Sequence, residues 1–117
     1  MKLENQVIIV TGGASGIGLE ASQALAREGA RLVVADFNLD GAERVASGLR
    51  STGAQAFAFR VDVSKAAEVE AMVDFAVEKF GTLNGIFNNA GIGLVKPFLE
   101  MDPATYLKVI EVDGPPT

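Results

Sequence analysis

The sequence predicts an α/β protein: a parallel sheet wound with helices on both faces. Three observations predict it. Short apolar runs, rich in β-branched residues, recur along the chain, and a run apolar at nearly every position suits a strand covered on both sides. Between these runs the apolar residues step at helical spacing, so the alternation reads as βαβ units with right-handed crossovers. A glycine-rich loop, with glycines at 12, 13, 16 and 18, joins the first strand to the first helix.

Val7 to Thr11 reads as the first strand. A helix follows from about Ser15 to Glu28, with Ile17, Ala21, Ala24 and Leu25 on one face and Gly29 placed to end it. Arg31 to Asp36 is the second strand. Asp40 with Glu43 three residues on resembles a capping box, opening a helix with Leu39, Ala42, Val45, Ala46 and Leu49 as its buried stripe. Gln55 to Val61 is the third strand, and Ser64 is the expected N-cap of the next helix. There Val69, Met72, Val73, Ala76, Val77 and Phe80 repeat at helical spacing before Gly81. Leu83 to Phe87 is the fourth strand, running into Asn88-Asn89-Ala90-Gly91. Asp102-Pro103 opens a last helix, which Gly114-Pro115-Pro116 ends. Phe57, Phe59, Met72 and Phe80 are expected in the core by position and pattern.

Composition narrows the function. With 117 residues the chain suits one domain, and 49% hydrophobic residues with a mean hydropathy of +0.28 argue against disorder. The apolar runs are too short to span a membrane, and the first six residues have no apolar leader core, so a cytoplasmic location is expected. Without cysteine there is no disulfide framework, thiolate metal site or cysteine nucleophile, and without histidine the commonest general base is missing. No metal site is expected. A net charge of −5, with the basic residues scattered, speaks against a nucleic-acid partner.

The glycine loop is where chemistry enters. A strand, a glycine loop and a helix place backbone N–H groups and the positive end of the helix dipole where a phosphate can sit. Asp36 closes the second strand, 18 residues after Gly18. In a dinucleotide fold an acidic residue at about this spacing accepts from the adenosine ribose hydroxyls and repels the additional phosphate of NADP. An ordinary turn aspartate is the plainer reading of Asp36 taken alone.

The Thr11-Gly12-x-x-x-Gly16-x-Gly18 spacing, with Asn88-Asn89-Ala90-Gly91 after the fourth strand, resembles the short-chain dehydrogenase/reductase family of nicotinamide-dependent oxidoreductases. The resemblance runs from Met1 to Asp113 and implies a Rossmann-like, doubly wound sheet of order 3-2-1-4. It implies a domain over residues 1–113 and leaves 114–117 as a tail outside the family pattern. It also implies NAD as cofactor, held by Gly12, Ser15, Gly16, Ile17, Gly18, Asp36, Phe37, Asp62, Val63, Asn89, Ala90 and Gly91. Asp62 would accept from the adenine amino group, although an Asp before a helix also serves as a cap. Asn88-Asn89 likewise suits a plain turn. NAD is expected over NADP because Asp36 is acidic, Gly13, Ala14 and Ser15 are uncharged, and Phe37 follows the aspartate. A flavodoxin-like or receiver fold also alternates strands and helices, but leaves these motifs unexplained.

The family's chemistry uses a tyrosine with a lysine four residues later. Here the single tyrosine is Tyr106, with Ile110 four residues on, so no catalytic residue is assigned. Asp113 stands where the family usually carries an asparagine. The expectation is therefore the cofactor half of a dehydrogenase acting on a secondary alcohol or ketone, truncated after about four strands and inactive alone. A non-catalytic dinucleotide-binding or partner-assembling module is the alternative. An exposed fourth-strand edge would favour self-association or aggregation.

Overall fold

The computed structural model describes residues 3–14 and 16–88. Along the chain these form β1 (Val7–Thr11), α1 (Gly16–Arg27), β2 (Arg31–Asp36), α2 (Leu39–Ser51), β3 (Ala56–Arg60), α3 (Ala66–Phe80) and β4 (Gly85–Asn88). The sheet is parallel with the order β3-β2-β1-β4, as the family resemblance implies. Ser15, Asn89-Ala90-Gly91, Tyr106, Asp113 and the helix expected after Asp102 lie outside the described residues.

The apolar runs are continuous because the sheet has two cores. Ile9, Val33, Ala35 and Ile86 pack on one face with Val69, Met72, Val73 and Ala76 of α3. Ile8, Val10, Leu32 and Val34 pack on the other with Ala42, Ala46 and Leu49 of α2, joined by Leu25 and Ala26 of α1. Successive strand residues point to opposite faces, so both sets are apolar along the strands, and the buried polar residues Thr11 and Asn88 stand at the ends of β1 and β4. Each Val, Leu, Ile or Met side chain among them contributes about 1.5–3 kcal/mol on full burial.

β3 differs because it ends the sheet. Phe57 on this strand is 37% exposed and lies against α3, with ring centroids 6.1 Å from Phe75 and 5.5 Å from Phe80. Met72 is fully buried, while Phe59 and Phe80 border the α3 core. Among the described residues no helix is long and apolar enough to cross a membrane.

Several local expectations are corrected. α1 buries Gly18 and Ser22, while Ile17 is 67% exposed and Ala24 is also exposed. The helix start lies against the glycine loop, which turns its smallest residue inward and Ile17 outward. α2 is capped by Asn38, whose Oδ1 accepts from Gly41 N at 3.1 Å, and not by Asp40. Glu43 instead pairs with Arg50 at 2.7 Å, and Leu39 is exposed. The residue capping α3 is Lys65, without a side-chain cap bond, because the Ser64 hydroxyl donates to Asp62. Val77 faces solvent in α3, and Gly81 ends that helix in the left-handed conformation. β4 begins at Gly85, since Asn84 is spent on β1: its N–H donates to Val7 O and its Oδ1 accepts from Val7 N.

Candidate functional site

Parallel pairing brings the C-terminal ends of all four strands to one side of the sheet. Thr11 pairs in register with Ala35 and with Asn88, and Asp36 with Arg60. The loops after β1, β2 and β3 therefore open on a common rim. β1 lies between β2 and β4, so the strand order reverses beside it, which is where open α/β sheets bind ligands. At that reversal the Thr11 hydroxyl donates to Asn88 Oδ1 at 2.9 Å, tying β1 to β4.

The loop after β1 is shaped by close contact. A Cβ on Gly18 would lie 1.9 Å from Gly12 O and 2.9 Å from Gly13 Cα. No side chain fits there, so α1 can start against its own loop only with glycine at 18. Gly12 (φ 65°) and Gly16 (φ 58°) both adopt the left-handed conformation that the turn requires. A Cβ on Gly16 would meet no atom within 4 Å, so the loop presents bare backbone to an open side.

The amide groups of this loop divide into two sets. Gly13 N donates to Ala35 O at 3.1 Å and Ala14 N to Asp36 Oδ2 at 3.0 Å, so both are committed to β2. The first-turn amides of α1, from Gly16 to Gly18, have no partner within the helix by construction. α1 carries no acidic residue in its first turn, whereas α2 has Asp40 and α3 has Glu68 there. Its positive dipole end is thus left unneutralised by its own side chains, an arrangement that favours an anion.

Asp36 holds the rim together. Its Oδ2 accepts from Ala14 N and its Oδ1 from Asn38 N at 2.9 Å, which fixes the glycine loop to the β2–α2 turn. Phe37, next in the chain, is 63% exposed, and the Arg60 guanidinium lies 4.5 Å from its ring centroid. Asp62 follows β3. Its Oδ1 accepts from the Ser64 hydroxyl at 2.6 Å and from Ser64 N at 3.0 Å. The hydroxyl first and the backbone N–H second hold this carboxyl below its ordinary value, assisted by Lys65 and Arg60. Its own N–H donates to Glu68 Oε1 at 2.8 Å. Val63 is partly buried against the α3 core.

The described site residues named from sequence, namely Gly12, Gly16, Ile17, Gly18, Asp36, Phe37, Asp62 and Val63, therefore sit in the loops and at the strand end along one rim. Sequence reading missed Arg60, Asn38 and the Ala14–Asp36 bond. Only the register reveals Arg60, because it pairs with Asp36 and lies over the Phe37 ring from a strand remote in sequence.

Comparison with known proteins agrees with this architecture. The family model for the short chain dehydrogenases matches residues 6–114. The 7alpha-hydroxysteroid dehydrogenase of Escherichia coli is 38% identical over 113 residues, covering 97% of this chain and 44% of the relative. A crystal structure of hydroxysteroid dehydrogenase from Escherichia coli superposes with a TM-score of 0.75 at 40% identity, covering 77% of this chain and 38% of that one. A short chain dehydrogenase/reductase from Burkholderia phymatum, solved in complex with NAD, superposes with a TM-score of 0.72 at 39% identity, covering 80% and 33%. This chain thus spans less than half the length of these relatives. A matching family model over nearly the whole sequence, with relatives about 40% identical and a sheet that superposes on theirs, makes the chain a member of the short-chain dehydrogenase/reductase family.

Proposed function

We propose that this chain is the NAD cradle of an oxidoreductase that moves a hydride between nicotinamide and a secondary alcohol or ketone. The observation that carries the reading is a shared rim. It holds the start of α1, free of acidic side chains in its first turn, and the Asp36 carboxylate. A dinucleotide carries a diphosphate suited to the first and a ribose diol suited to the second.

The donor and acceptor set suits each part of NAD. The first-turn amides of Gly16, Ile17 and Gly18 would receive the diphosphate, with Gly12 and Ser15 completing the loop. An ionised carboxylate offers about four lone-pair sites. Asp36 commits one on each oxygen to Ala14 and Asn38, which leaves acceptors for the ribose hydroxyls. Asp62 uses only Oδ1 for Ser64, and we assign Oδ2 to the adenine amino group, with Phe37 and Val63 against the base. Asn89, Ala90 and Gly91 are proposed to border the nicotinamide-side ribose. The preference for NAD over NADP is assigned to Asp36. When bound, NAD supplies the hydride acceptor; the residues named here bind and orient it.

The 117 residues contain no Tyr-x-x-x-Lys pair, Tyr106 being followed by Ile110 at the fourth place. We therefore expect cofactor binding without alcohol oxidation from these residues alone. Calorimetric titration of the purified chain with NAD tests the reading. Saturable binding is expected, weakened about tenfold or more by Asp36→Ala, the scale of a hydrogen bond to a charged group. A chain shown to be folded by circular dichroism that binds no NAD would refute it.

A further inference from the structure

The acidic character of Asp36 argues for NAD, yet the structure brings a cation to the same corner. Arg60 is the register partner of Asp36, and paired residues of parallel strands project from the same face of the sheet. Its guanidinium rests 4.5 Å from the centroid of Phe37, the residue that follows Asp36. The arginine is only loosely held by a carboxylate. Its distance to Glu68 is 3.9 Å, and the side chains are 48% and 33% exposed. Such a long exposed pair is worth little, so the guanidinium can turn toward a better anion at small cost. A planar guanidinium also matches phosphate oxygens with two parallel N–H bonds.

We propose that Arg60 is a specificity-determining residue, the cation of a latent subsite for the 2′-phosphate of NADP. Selection between the two cofactors is then set by the Asp36–Arg60 pair and not by Asp36 alone. Asp36 disfavours the phosphate, while Arg60, swung from the Phe37 ring, partly offsets that repulsion. The inference rests on the cradle reading above, because it needs the adenosine ribose beside Asp36. A second arginine, Arg44 on α2, lines the groove between α1 and α2 that Asp36 and Ala14 also border. It serves as the comparison for a general charge effect.

The test is parallel titration of the full chain and its variants with NAD and with NADP, with thermal unfolding recorded for each. For the unaltered chain we expect NADP to bind more weakly than NAD but measurably. Arg60→Gln should lower NADP affinity about tenfold while NAD affinity stays within about twofold. Asp36→Asn should raise NADP affinity, and adding Arg60→Gln should abolish that gain. Arg44→Gln should leave the NADP-to-NAD ratio unaltered. Equal losses of both cofactors in Arg60→Gln would make the arginine a mere support for Phe37 and overturn the inference. An unchanged ratio, or a ratio that follows Arg44, would overturn it as well. If NAD binds and only these ratios fail, the inference falls and the cradle stands; if neither cofactor binds a folded chain, both fall.

Discussion

The two ends of the proposed cradle are built by different means. At the loop between β1 and α1, backbone shape dominates: Gly18 has no space for a Cβ, and Gly12 and Gly16 sit in the left-handed region. At the adenosine end, side chains dominate. Asp36 latches two loops through its carboxylate, Asn38 caps α2, and Asp62 is held by Ser64. One end is fixed through steric exclusion and close to the buried β1. The other is assembled from half-buried and exposed side chains at the end of β2 and in the loops after β2 and β3. The loop end should accordingly fail abruptly when altered, and the adenosine end by degrees.

The sharpest way to break this contrast is Gly18→Val. Its Cβ would enter the space of Gly12 O, 1.9 Å away, so α1 must part from the loop. We expect a loss of about 3 kcal/mol or more in stability by urea unfolding, together with loss of NAD binding. A variant as stable as the parent would show that the loop is not sterically locked. Asn38→Ala, at the other end, removes one cap bond to Gly41 N and should cost about 1 kcal/mol in the same measurement.

The smallest effect concerns Asp62. Its folded pKa is depressed, so its stabilising contribution is present above its ordinary value and is lost as pH falls through the folded value. Ser64→Ala removes the hydroxyl donor, the largest cause of the depression. In a carboxyl-carbon NMR titration the Asp62 pKa should move up toward its ordinary value of 3.8. A pKa that does not move would assign the depression to the neighbouring cations instead.

The same contrast governs what was legible in the sequence. The strand runs and the glycine spacing are local, and they led directly to four strands and to Gly12, Gly16 and Gly18. Asp36 was legible because the end of a strand and a fixed spacing mark it. Arg60 was not, because alignment of β3 with β2 depends on long-range packing that no neighbouring residue encodes. Helix periodicity placed Ile17 and Ala24 on the buried face of α1, but close contact at Gly18 rotates that face toward Gly18 and Ser22. The caps failed for a related reason. Asp40 and Ser64 both have the right chemistry, yet Asn38 takes the first cap, and Asp62 draws the Ser64 hydroxyl away from the second.

The most direct test of the central claim is a map of backbone amide shifts, by two-dimensional ¹⁵N NMR, as NAD is added to the 117-residue chain. We expect the largest changes at Gly12, Gly16, Ile17 and Gly18, with further changes at Phe37 and Val63 on the same rim, and little change along the Phe57–Phe75 side of the sheet. Changes confined to that far side, or spread evenly over the chain, would contradict a cradle at the ends of β1, β2 and β3.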